Sequence, residues 1–139
     1  MIKALARKLG LVAGVVVLLG LAPVTQADDH WDDDWKISVS GKSKSAGSLS
    51  FTLTFEPADD GAAREAATVT VAIPEGTGAN DMADLISAAF RGTLGDDQFH
   101  SEVDWGEHVK VKGKGDTPDF TVAIAQNTVQ GLSLAIKED

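Results

Sequence analysis

The 139-residue chain carries 12 Lys and Arg against 21 Asp and Glu, a net charge of −9, and has no cysteine. So negative a balance argues against nucleic acid or anionic lipid as the main partner, both being polyanions, and favours cations or a basic partner. Without cysteine there is no thiol nucleophile, thiolate metal site or disulfide, so an exported fold of this size must hold by core packing alone.

The first segment reads as a secretory signal peptide over residues 1–27. Lys3, Arg7 and Lys8 form a positive start, Leu9 to Leu21 an uncharged apolar run, and Pro23 to Gln26 a polar break. The small residues Thr25 and Ala27 suit a cut after Ala27, and the apolar run falls short of the ~20 residues a permanent span needs. The expected mature chain is exported, periplasmic or extracellular, and without a membrane span. Losing the three bases of the signal leaves 9 basic against 21 acidic side chains, a net charge of −12. Residues 28–35 then form an acidic N-terminal tail and residues 36–139 a single α+β domain.

Cleavage after Ala27 exposes Asp28-Asp29-His30. A free α-amine, two backbone amides and a third-position imidazole supply four nitrogens in a square plane, which Cu(II) and Ni(II) prefer. The triplet resembles the amino-terminal copper and nickel motif, X-X-His with a non-proline second residue. Asp28, Asp29 and His30 are therefore the candidate metal site, and Asp32 to Asp34 add negative charge beside it.

From Trp35 onward the apolar residues recur mostly every second position. Trp35, Ile37 and Val39 open the series, and a Gly-, Ser- and Lys-rich loop follows at 41–47. Leu49, Phe51, Leu53 and Phe55 then alternate with Ser48, Ser50, Thr52 and Thr54, giving a strand over 48–56 with one face buried. Asp59-Asp60-Gly61 marks a loop; Val69, Val71 and Ile73 make the next strand, stopped by Pro74-Glu75-Gly76. The period then changes: Met82, Leu85, Ile86, Ala89, Phe90 and Leu94 share one stripe of a helix from about Asn80 to Arg91, with Asn80 as cap and Gly92 or Gly95 as stop. Alternation returns with Phe99, Val103 and Trp105; Val109 and Val111; Phe120, Val122 and Ile124; and Leu132, Leu134 and Ile136. One-sided alternation suits antiparallel pairing. The expected fold is α+β: an antiparallel sheet of six or seven strands with one helix packed on one face.

The turn after Trp105 tests the register. A two-residue turn at Gly106-Glu107 would pair Trp105 with His108 and set the alternating faces in conflict. A three-residue connection is expected to pair Trp105 with Val109 and Val103 with Val111, and to set Asp104 beside His108 and Glu102 beside Lys110 on the wet face.

Catalytic patterns are absent: there is no Gly-x-Ser-x-Gly elbow, phosphate-binding glycine loop or His-Glu-x-x-His pair. Asp59/Asp60 and Asp96/Asp97 read as turn residues, which bond their own backbone. His100, Asp104 and His108 have the chemistry of a Zn or Cu ligand set on the hairpin's wet face. A polar sheet face accounts for the same three residues, and Lys110 and Lys112 would repel a cation. Trp31 and Trp35 flank Asp32 to Asp34 as an aromatic and acidic patch for a sugar or basic partner, unless Trp35 enters the core in phase with Ile37 and Val39.

The run from Ala67 to Gly76, the helix Asn80 to Phe90 and the short strands after it resemble the small β-β-α-β-β modules of phage-tail and bacterial surface proteins, over about residues 48–125. That resemblance implies a structural or adhesive module and carries over no site residues. The expectation is an exported, non-enzymatic binding or structural module of the periplasm or cell surface, whose partner is a protein or cell-envelope component. The alternative is Cu(II) or Ni(II) binding through Asp28-Asp29-His30; no other cofactor is expected.

Overall fold

The alternating segments become seven strands: β1 (Asp34–Gly41), β2 (Gly47–Phe55), β3 (Ala67–Ile73), β4 (Phe99–Asp104), β5 (His108–Gly113), β6 (Phe120–Asn127) and β7 (Leu132–Glu138), with α1 (Ala79–Leu94) between β3 and β4. This is a computed structural model, and it describes residues 31–139. All strand pairings are antiparallel.

The strands do not form one sheet. They divide into a four-stranded sheet, β4-β5-β1-β7, and a three-stranded sheet, β3-β2-β6. The reason is area: seven strands each with an apolar face present more surface than one helix covers, so the two sheets and the helix share a single core. Trp35, Ile37, Val39, Val109 and Val111 come from one sheet, and Leu49, Phe51, Leu53, Val69, Ile73 and Phe120 from the other. Rings link the two, with Phe99 edge-on to Phe120 at 5.4 Å between centroids.

The helix joins the sheets rather than lying on one of them. It packs against its chain neighbours β3 and β4, which are edge strands of different sheets, and against β1 and β5. Met82, Ala83, Ile86, Ser87 and Phe90 form its buried stripe, while Leu85, expected there, is 36% exposed. Its N-cap is Gly78, with no side-chain cap; Asn80 lies inside the first turn, so the expected cap is corrected by two residues. Gly95, at a φ of 79°, ends it as a left-handed glycine can. Beneath the stripe, Ser87 Oγ meets Ser101 Oγ at 3.2 Å and accepts from Arg91 Nη1 at 2.9 Å, so the inward hydroxyls of α1 and β4 are paired.

β1 starts at Asp34, so Asp34 and Trp35 of the acidic segment 28–35 belong to the sheet. The backbone of Asp32 also pairs with Phe120, tying this end of the chain to β6. A register shift opposite Ser50 and Phe51 leaves Ala125 as an extra residue in β6, a bulge just beyond the inward-facing Phe120, Val122 and Ile124.

Candidate functional site

The β4–β5 hairpin positions the residue that departs furthest from the sequence pattern. Its connection has the expected three residues, but they are Trp105, Gly106 and Glu107 rather than Gly106 to His108, with Asp104 paired to His108 and Glu102 to Lys110 as expected. The expected apolar pairs do not form: Val103 faces Val109, and Ser101 faces Val111. The charged and apolar pairs read from the sequence belong to registers two residues apart, and the charged set is the one adopted. Ser101 can face the core because Ser87 and Arg91 satisfy its polar atoms.

Trp105 is therefore expelled from the strand. It sits at the hairpin tip with a φ of 59°, the sole non-glycine residue with positive φ among the described residues. Gly106 follows at 75°. Two consecutive positive φ values are ordinarily supplied by Asn-Gly, and an L-residue with a bulky side chain loses roughly 1–2 kcal/mol there. The indole is not buried in return: the residue is 82% exposed.

The tip is nonetheless held firmly. The Val39 N–H donates to the Glu107 carbonyl at 3.0 Å, and the Glu107 N–H to the Trp105 carbonyl at 2.8 Å. Below it, Ser38 Oγ and His108 Nδ1 share a hydrogen bond of 2.8 Å. A Cβ placed on Gly106 would stand 3.2 Å from Asn80 Oδ1, so the tip backbone lies against the first turn of α1. Asp104 and Glu107 flank the exposed ring in sequence, and Asp81 follows Asn80 on the adjoining turn. Lys42, whose backbone forms a β-bridge with Gly78 just before α1, brings positive charge to the same end.

The other sequence candidates separate. His100 Nε2 contacts Glu102 Oε1 at 3.3 Å and pairs across the strand with Lys112, whereas His108 is engaged by Ser38. With Asp104 they do not converge, and no group of three His, Asp or Glu side chains among the described residues could hold a metal ion. Trp35 enters the core and donates its Nε1–H to the Phe120 carbonyl at 2.8 Å; Trp31 is half-buried. Asp60 accepts from the Ala62 N–H at 2.9 Å, a local turn contact. Asp28, Asp29 and His30 lie outside the described residues, as does the segment expected as a signal peptide. Among the described residues no helix is long and apolar enough to cross a membrane.

The wet face of the larger sheet carries an ion network. Lys110 Nζ lies 2.9 Å from Asp139 and 3.9 Å from Asp34, and Lys36 Nζ lies 3.4 Å from Asp139. The Lys110 hydrogen bond holds the Asp139 carboxyl below its usual range, and in return Asp139 raises the Lys110 ammonium. Asp34 shifts the other way because its partial burial outweighs the pull of Lys110. Asp34 Oδ1 is buried without a hydrogen-bond partner among the described residues.

Sequence reasoning missed Trp105 as a surface residue because it continues the alternation of Phe99 and Val103. The signal was the following Gly106, a glycine that suits the middle of a turn beginning at Trp105, one residue earlier than the apolar count suggests. No family model matches the chain, and no curated protein matches it in sequence.

Proposed function

We propose that the protein is an exported, non-enzymatic binding module of the periplasm or cell surface, and that it engages its partner through the Trp105 hairpin tip. The observation that carries this reading is the combination at one residue of an unfavourable backbone conformation and an almost fully exposed indole. Strain of this kind persists where the surrounding structure imposes it, and it clusters at functional positions. Trp, with Tyr and Arg, is also enriched among the residues that anchor interfaces. A photo-crosslinking aromatic residue at position 105, which keeps a ring at the tip, is expected to give a discrete adduct in the intact cell envelope, whereas one at exposed Thr93 is not. Equal labelling from both positions, or none from 105, refutes the reading.

A second reading, Cu(II) or Ni(II) binding by Asp28, Asp29 and His30, is supported by the X-X-His triplet and the expected cut after Ala27. Intact mass of the secreted protein tests the cut. In a chain starting at Asp28, Cu(II) titration should produce a d–d absorption band that His30→Ala abolishes; an unchanged band excludes the site.

A further inference from the structure

Resting on the binding reading above, we infer that the Trp105 tip takes a cationic segment of its partner, an arginine- or lysine-bearing peptide stretch, through the indole face and the carboxylates around it. An exposed indole offers two apolar faces with negative electrostatic potential, to which a guanidinium or ammonium is drawn. Here the ring lies between Asp104 and Glu107 in sequence, and the tip backbone rests against the helix turn that carries Asp81. Glu107 is exposed, and its backbone carbonyl is already occupied by Val39, so its carboxylate projects from a fixed anchor. Lys42 lies at this end and Lys110 acts on Asp104 from β5, so the excess of acid is that of the whole chain, negative by nine charges. An acidic partner would meet repulsion from the chain as a whole, whereas a basic one is attracted from a distance and then stacked.

The arrangement also fits the tip's rigidity. Four strand residues, Ser38, Val39, Asp104 and His108, fix the loop from below, so the tip backbone is set before the partner arrives and less ordering entropy is lost on contact. Arginine gains most from such a site, since its plane stacks on the indole while its N–H groups reach carboxylates to either side.

Octa-arginine and octa-glutamate peptides titrated calorimetrically against the secreted protein test this directly. Octa-arginine is expected to bind saturably and octa-glutamate not at all. Trp105→Ala should weaken octa-arginine by about tenfold or more, as loss of an aromatic anchor does. Asp104→Asn with Glu107→Gln should weaken it several-fold, while the equal charge change Asp96→Asn with Asp97→Asn should leave it nearly unaltered. Equal affinity in Trp105→Ala, or equal weakening by the two charge pairs, would mean general attraction to an acidic protein and would overturn the inference. Circular dichroism of each variant confirms that it is folded. The crosslinked partner separates the two levels of the claim: a neutral or acidic segment attached at position 105 refutes the cationic inference and leaves the binding module standing. Absence of any adduct refutes both.

Discussion

At the scale of single residues, Trp105 is where local preference and observed conformation disagree most. Its neighbours follow their intrinsic preferences: Gly106 takes the positive φ that glycine tolerates, and Asp104 ends β4 in register with His108. Trp105 has no such reason to be left-handed. Replacing it with Asn, which tolerates this region and bonds its own backbone, should remove most of the strain and stabilise the fold by about 1 kcal/mol. Chemical denaturation would register this as a higher midpoint at unchanged slope. The same variant should lose the peptide binding proposed for the wild type. If Trp105→Asn is instead less stable, the indole is making a stabilising contact within the fold, and the argument from strain fails.

At the scale of elements, the strands were legible because each carries its apolar residues at a strict period of two: Val69, Val71 and Ile73 are all buried, with Thr68, Thr70 and Ala72 exposed between them. The helix was legible for the same reason at its own period, and its cap was misplaced because Asn80 has the right side chain two positions after the observed cap, Gly78. Division into two sheets was not legible, since period two says which face of a strand is apolar and nothing about which strand lies beside it. The hairpin shows the same limit more finely: alternation survives a shift of two residues, so charge pairing was needed to select between registers. Of the candidate site, the acids and the turn glycine were visible, whereas the exposure of Trp105 follows from that register. The helix should contribute through burial rather than propensity. Phe90 is fully buried on its stripe and lies 5.4 Å from the Phe51 ring, so Phe90→Ala should destabilise by about 3–5 kcal/mol. Leu85→Ala, on the exposed side, should fall within about 0.5–1 kcal/mol of wild type, a contrast that thermal melts would resolve.

At the scale of the whole molecule, a chain with nine excess negative charges has to place its few lysines where they relieve repulsion. The larger sheet gathers Lys36 and Lys110 around Asp139 on its wet face, and the two carboxylates beside Lys110 respond in opposite ways. Asp139 is held below its usual range, so folding favours its ionised form. The stability it adds is present above the unfolded-chain value and is lost as pH falls through the folded one. Lys110 is raised, so its contribution is complete below the unfolded lysine value and disappears as pH rises through the folded one. Asp34 is raised by burial, so folding disfavours its ionised form; what it adds is present below the unfolded value and is lost as pH rises through the folded one. At neutral pH the two acids should therefore have opposite signs. Asp139→Asn is expected to lower the melting temperature and Asp34→Asn to raise it, with the Asp139 effect shrinking in high salt because that pair is solvent-screened. Melts of both variants from pH 2 to 11 in low and high salt would show the two curves approaching wild type below the carboxylate range. A loss of stability in Asp34→Asn equal to that in Asp139→Asn would mean that Asp34 is held by attraction to Lys110 more than it is penalised by burial.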